Sequence, residues 1–592
     1  MTNSNLSAQA QKNINAWLTE SKYAEYKTEL EQLVAQENWK TLEDSFFTTV
    51  PFGTGGRRGT VGIGSNRINR VTIGESAQGL CDYLSTQIGE SAKTDGIVIA
   101  HDTRTTSREF AEYVANIISA NGFKTYLFDS FRATPELSFA VRHLNAAAGI
   151  VISASHNPPA DNGFKAYWSD GGQIVPPHDK GIMEAVSRVT SLPLTKGELE
   201  GLPAGQAGVG ARGEIVVIGA EVDAAYITAI TKESMSASRT AKIVYSPLHG
   251  TGITSVKKVL QHAGFTDVTI VEEQATPDGT FPNLPNNIPN PEVPSASEMV
   301  TEYATRLHAD IAITTDPDAD RLGVVAPDTD GTYKLLTGNQ IAALAAYHVA
   351  SRISPPARGG VRGGGSFVVR TIVTTDLLDA IAADFGLTMY NHILIGFKYV
   401  AQLIRKHQDN GNETFIFGGE ESYGLLKGSY CRDKDAAVAA LLLCEMTSEL
   451  KDQGKTLFWQ LNEIYKKYGI FTETLNNISY PGAEGFQNMQ KIMKQLRENP
   501  PKEVAGVNIV NVIDREKFEG TEKGNVLIFE LSSDHHTRLT IRPSGTEPKI
   551  KIYTQLHAPV PLDISDEDLQ TKKREEQARA KQLTDAFQEL IA

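Results

Sequence analysis

Apolar residues along the chain fall into two alternating periods. Short β-branched runs read as buried strands, and each is followed by a polar break and then by apolar residues at helical spacing. In the first such unit, Ile97-Val98-Ile99-Ala100 meets the capped turn Asp102-Thr103-Arg104-Thr105-Thr106-Ser107. An amphipathic helix from Phe110 to Ile118, a stop at Asn121-Gly122-Phe123 and a second strand at Tyr126-Leu127-Phe128 follow. The same grammar returns at Ile243-Val244-Tyr245-Ser246, with a turn at Gly250-Thr251-Gly252 and a helix through Val256 to Leu260. A third copy runs from Phe367-Val368-Val369 through Thr374-Thr375-Asp376 to Phe385-Gly386-Leu387. Units this widely spaced are too long for a solenoid and predict three similar α/β domains in series.

The flanking texture differs. Residues 1 to about 45 read as polar, partly amphipathic helices (Ile14, Trp17, Leu18, Leu30, Leu33, Val34), a packing arm on the first domain. Leu192 to Gly213 is rich in Gly, Ala and Pro and leads out of that domain, while Pro355 to Gly365 reads as a mobile loop. After about Tyr468 come short strands and a charged helix from Ile564 to Leu590, a smaller α+β domain. The predicted domains are 1–212, 213–335, 336–468 and 469–592. A chain of 592 residues gives each a core of its own.

Composition narrows the partners. A formal net charge of −14 argues against nucleic acid, and any phosphate must be held by local clusters of arginine, lysine and backbone N–H groups. No run of about 18 apolar residues predicts a membrane span, and the polar start predicts no secretory signal. Three scattered cysteines make neither a disulfide framework nor a zinc site, so the cytoplasm is the expected compartment.

Four polar loops carry candidate chemistry. The buried run Gly149 to Ala154 breaks into Ser155-His156-Asn157-Pro158-Pro159, which presents Ser155 on a stiff loop with His156 beside it and Lys165 close by. Asp316, Asp318 and Asp320 follow the strand Asp310 to Thr315, and carboxylates at every second position suit a hard cation such as Mg²⁺. An EF-hand is excluded, because Arg321 and Pro327 stand where it needs glycine and glutamate. Glu420 and Ser422 on a glycine-bounded loop can bond vicinal sugar hydroxyls, and Lys434 can serve in proton transfer if partly desolvated. Arg542-Pro543-Ser544-Gly545-Thr546-Glu547-Pro548-Lys549 forms an anion nest between two strands. Upstream, Arg57 and Arg58 in a glycine-rich stretch offer forked donors for phosphate. Taken alone, the Ser155 and Glu420 loops read as readily as ordinary turns, the aspartate run and the Arg542–Lys549 nest less so, and Gly454-Lys455-Thr456 fails as a Walker loop because Glu449 replaces its first glycine.

Taken in order, the motifs resemble the α-D-phosphohexomutase family, in its long phosphoglucomutase/phosphopentomutase-like branch. Phe52-Gly53-Thr54-x-Gly56-x-Arg58-Gly59, Ala154-Ser155-His156-Asn157-Pro158, the Asp316–Arg321 run, Gly419-Glu420-x-Ser422 and Arg542 to Pro548 carry the likeness. The resemblance implies four domains around a central cleft, the first three sharing a mixed α/β fold. It implies that Ser155 is phosphorylated, and that Asp316, Asp318 and Asp320 hold Mg²⁺ together with the Ser155 phosphate. Arg58, His156, Lys165 and Arg321 would surround the transferring phosphoryl group. Glu420 and Ser422 would grip the sugar, with Gly396 and Lys398 in the sugar-orienting loop. Arg542, Ser544, Gly545, Thr546 and Lys549 would bind the other phosphate, and Lys434 would act as general acid or base. The implied activity is a phosphoglucomutase, a monomer or weak homo-oligomer, working through glucose 1,6-bisphosphate on a small phosphosugar. Mannose and pentose phosphates are the competing substrates, and a silent sugar-phosphate-binding protein is the non-enzyme alternative.

Overall fold

The computed structural model describes residues 5–51, 56–192, 213–353, 365–411, 413–480, 482–544 and 549–591. Three successive sheets share one four-strand core. In each, a first strand (Ile97–His101, Ile243–Ser246, Ser366–Thr371) is flanked by two parallel partners. On one side lies the second strand of the unit (Thr125–Phe128, Val268–Ile270, Thr388–Ile393), on the other the third (Ala148–Ile152, Ile311–Thr315, Thr414–Gly419). A fourth strand (Asp161–Trp168, Leu322–Pro327, Leu425–Lys427) then returns antiparallel beside the third. The first and third strands are apolar runs because helices cover both sheet faces, as in Ile97–His101, where every residue is buried.

This repetition fixes the site. The loops carrying Ser155, Asp316–Asp320 and Glu420–Ser422 are the same loop of the same fold, the turn from third to fourth strand. Each contains a non-glycine residue in the left-handed region: Ser155 at φ 52°, Ala319 at 51° and Tyr423 at 68°. Such residues cost about 1–2 kcal/mol each, and they persist because the surroundings hold them.

The fourth sheet is antiparallel throughout, ordered Ile470–Ser479, Lys549–Ala558, Arg538–Pro543, Leu527–Glu530, Asn511–Asp514. The helices Gly482–Glu498 and Asp566–Ile591 accompany it. At the N-terminus the helices Ala8–Thr19, Lys27–Ala35 and Trp39–Phe46 close around Trp17, which stacks on Tyr23 at 4.5 Å. Lys22 ties this arm to the first domain through Glu75 and the Val189 carbonyl, both at 3.0 Å. Among the described residues no helix is long and apolar enough to cross a membrane. The expected loops at 193–212 and 354–364 lie outside the described residues.

Candidate active site

A cavity of about 1250 Å³ is bounded by residues of all four segments, among them Arg58, His156, Glu292, Glu421, Ser544 and Lys549. Behind His156, which lines it, the first two domains meet at Ser155 and the aspartates, which are not among its lining residues. Ser155 Oγ donates to Asp316 Oδ2 at 2.7 Å and lies 3.2 Å from His156 Nδ1. Lys165 Nζ reaches Asp318 Oδ2 at 2.5 Å, and Thr134 Oγ1 donates to the same oxygen at 2.6 Å.

The three aspartates are buried, with ligand atoms all within 4.8 Å of one another. Asp318 Oδ1 and Asp320 Oδ1 are buried and make no hydrogen bond. Hard oxygens converging without hydrogen bonds, one of them 3.6 Å from Arg321 Nε, fit a divalent cation. Burial, with Asp320 and Asp318 alongside, pushes the Asp316 carboxyl well above the ordinary range. Burial acts the same way on Asp318, but Lys165 outweighs it and holds that carboxyl low. Burial and the neighbouring cations Arg321, Arg58 and Lys551 push His156 far below its usual value, leaving a neutral imidazole beside Ser155.

The third domain reaches the same aspartates through Lys434. Glu420 accepts from the Gly396 N–H at 3.0 Å, which joins the two predicted sugar-loop segments. Burial pushes Glu420 up to about 7. Lys398 is buried behind, its ammonium disfavoured by desolvation, and Ser422 is half-buried. Lys434 lies 3.0 Å from Asp320 and 3.2 Å from Asp433. Burial alone would lower it, but Asp320, Asp433 and Glu420 dominate and keep it an ammonium that holds its proton tightly.

In the fourth domain the Ser544 N–H donates to the Lys549 carbonyl at 2.7 Å, and Arg542 Nη2 donates to Tyr553 Oη at 3.2 Å. Gly545 and Thr546, like the segment Phe52–Gly55, lie outside the described residues.

One expectation is corrected. Arg57 and Arg58 do not act together on a ligand. Arg57 is 1 % exposed and donates to the carbonyls of Val50 and Thr72 and to Ser76 Oγ, so only Arg58 lines the cleft. The strand Arg57–Thr60 explains this, since successive side chains point to opposite faces.

Sequence reasoning also passed over three residues. Thr134 begins a helix of the first domain yet holds the second domain's Asp318 by side chain and backbone, Thr134 N–H to Asp318 O being 2.9 Å. Glu292, which lines the cleft, pairs with Arg321 through one guanidinium nitrogen. Arg104 supports the Ser155 loop from beneath. Only Arg104 left a local trace, in the capped turn after the first strand.

The fold and sequence match known proteins. Family profiles described as phosphoglucomutase/phosphomannomutase alpha/beta/alpha domains I, II and III match residues 49–192, 224–331 and 337–468. A phosphoglucomutase of Staphylococcus aureus is 35% identical over 549 residues, covering 88% of this chain and 92% of its own. One from Staphylococcus haemolyticus is 35% identical over 533 residues, covering 87% and 92%. Among solved structures, the open form of a Paramecium phosphoglucomutase, parafusin, superposes with a TM-score of 0.65 at 16% identity over 90% of this chain and 95% of its own. A phosphoglucomutase/phosphomannomutase family protein of Burkholderia thailandensis gives 0.63 at 19%, over 90% and 97%. With three serial α/β/α domains and full-length relatives at this identity, the chain belongs to the phosphoglucomutase/phosphomannomutase family of phosphosugar mutases.

Proposed function

We propose that the protein interconverts glucose 1-phosphate and glucose 6-phosphate through a phosphorylated Ser155 and a glucose 1,6-bisphosphate intermediate. The observation that carries this reading is the 2.7 Å contact of Ser155 Oγ with Asp316 Oδ2, a nucleophile of one domain seated on the carboxylate triad of the next. Asp316, Asp318 and Asp320 would hold Mg²⁺. When bound, that ion supplies positive charge against the oxygens of the transferring group.

The residues of the chain do the rest. In the forward direction the bond from phosphorus to Ser155 Oγ breaks as one to O6 of glucose 1-phosphate forms, and the O6 proton passes to Ser155 Oγ, restoring the hydroxyl that donates to Asp316. Arg58, Lys165 and Arg321 neutralise the phosphoryl oxygens, while neutral His156 orients and shares a hydrogen bond with Ser155 Oγ. Glu420 and Ser422, with Gly396 and Lys398 behind them, hold the sugar hydroxyls. The Arg542–Lys549 loop holds the phosphate that is not reacting. The bisphosphate then turns over in the cleft and returns its other phosphoryl group to Ser155, leaving glucose 6-phosphate.

Two measurements test this. The purified protein should carry phosphate on Ser155, and Ser155→Ala should remain folded while losing nearly all mutase turnover. Glucose, mannose and ribose 1-phosphates assayed side by side should rank in that order by kcat/KM. A ribose substrate that matches glucose would replace the reading with a phosphopentomutase.

A further inference from the structure

In each of the three α/β domains the end of the first strand or the loop after it lies against the chemistry-bearing loop. In the second domain the Thr251 N–H donates to the Pro317 carbonyl at 2.8 Å. In the third, Thr371 and Thr374 hydroxyls meet Glu421 Oε2 at 3.4 and 3.3 Å. In the first, the support is a single guanidinium.

Arg104 is 3 % exposed and does not line the cleft. Its Nη1 donates to the carbonyls of Pro158 at 2.6 Å and Asp161 at 3.0 Å, and its Nη2 to those of Ser155 at 2.6 Å and Asn157 at 2.5 Å. Four carbonyls of the stretch 155–161 therefore converge on one planar donor group. Asp102 anchors the clamp: its Oδ2 lies 3.2 Å from Arg104 Nε, and its Oδ1 accepts from the Arg104 N–H and the Ser107 hydroxyl.

The second domain is seated on the same arginine. The Phe281 ring lies 5.2 Å from the guanidinium carbon. Gly279 packs so tightly that a Cβ there would come within 2.6 Å of Arg104 Cα and 2.4 Å of Thr105 N. From this segment the Asp278 N–H reaches the His249 carbonyl at 3.3 Å, and two residues on, Thr251 holds Pro317 between the first two aspartates.

We propose that Arg104 is a positioning residue for phosphoryl transfer. It aims Ser155 Oγ by fixing the carbonyls of the 155–161 loop, and through Gly279 and Phe281 it sets that loop against Asp316–Asp320. Five fixed N–H donors in a plane can satisfy four carbonyls at once, which an ammonium cannot. This role rests on the phosphoserine mechanism proposed above.

The test uses Arg104→Met, which keeps the stem and removes every donor, with Arg104→Lys and Phe281→Leu as milder variants. Backbone amides of residues 153–163 should exchange with deuterium faster in Arg104→Met, while the strand 97–101 stays protected. The kcat should fall about ten- to a hundredfold, as a nucleophile misplaced by roughly 1 Å costs, with KM for glucose 1-phosphate within about threefold. Arg104→Lys should recover part of kcat, and Phe281→Leu should lose several-fold. The phosphoenzyme of Arg104→Met should also leak more phosphate to water per sugar turnover. Unchanged exchange in the 153–163 loop, unchanged kcat, or a loss expressed in KM alone overturns the proposal. Should Arg104→Met not fold, the same readouts on the two milder variants decide. A parent protein without mutase activity would instead remove the function proposed above, and the exchange measurement would still support or overturn the clamp.

Discussion

Replacing Lys165 by methionine should tighten Mg²⁺ binding while slowing catalysis. Lys165 projects from the strand Asp161–Trp168, 3 % exposed, with Nζ 2.5 Å from Asp318 Oδ2 and 3.9 Å from Asp320 Oδ2. Methionine fills nearly the same volume and removes the cation. Among the described residues the three buried carboxylates then pair with Lys434 and Arg321, the latter shared with Glu292. Removing one partner of a buried ion pair costs about 3–5 kcal/mol. A divalent cation on the same carboxylates relieves part of that cost. If it recovers a third to a half, about 1–2.5 kcal/mol, the variant binds Mg²⁺ roughly five- to seventyfold more tightly. Activity moves the other way, because the phosphoryl oxygens lose a charge-assisted donor worth about 1.5–3 kcal/mol, roughly ten- to a hundredfold in kcat. Calorimetric titration of Mg²⁺ into both proteins reads the affinity, and thermal unfolding in chelator reads the cost. A variant as stable as the parent in chelator, or one that binds Mg²⁺ no more tightly, refutes the reasoning.

The domain repeat was legible because its signal is local: a β-branched run, a polar break, an amphipathic helix. The three loops converge because they occupy one position in three copies of that unit, so a motif in one copy indicates where to look in the next. What escaped the sequence was orientation and long-range pairing. Arg57 and Arg58 read as a pair of phosphate donors, yet strand alternation turns the first into the core, where Val50, Thr72 and Ser76 receive it. Arg104 was visible only as part of a turn because its partners are carbonyls, and carbonyls leave no mark on residue identity. Thr134 and Glu292 act on Asp318 and Arg321 from separate segments, and nothing in their own neighbourhoods points there. Lys434 was read as a proton-transfer group if partly desolvated; it is buried, but Asp320, Asp433 and Glu420 keep its proton on.

Two further outcomes concern the third domain. Asp376 joins it to the fourth, taking Arg538 at 2.6 and 2.7 Å, Arg370 at 2.7 Å and His536 at 2.9 Å. Asp376→Asn should loosen that junction by about 3–5 kcal/mol, seen as earlier unfolding of the fourth domain; an unaltered transition would discard the latch. Burial would raise the Asp376 carboxyl, but Arg538 and Arg370 outweigh it and hold it far below the ordinary range. The stabilisation from Arg538 and Arg370 is therefore full above about pH 4 and is lost progressively as the pH falls below that, while the contribution of His536, whose pKa Asp376 raises, fades as the pH rises through it. Glu420 has the opposite sign. Burial, only partly offset by Lys434, pushes its carboxyl up to about 7, above the ordinary value, so the folded protein binds this proton more tightly than the unfolded chain. Its ionisation costs stability, and the cost grows as the pH rises from about 4.5 to about 7. Function needs the ion, because a carboxylate accepts from sugar hydroxyls at both oxygens while an acid offers one of them as a donor. In the free protein kcat/KM should therefore fall as the pH drops below about 7, with an acidic limb set by this group. Glu420→Gln keeps the shape and the acceptor carbonyl, removes the titration, and should give a lower kcat/KM without that limb. A parent profile flat from about pH 6 to 8, or a limb that survives in Glu420→Gln, would mean that another group governs the acid side.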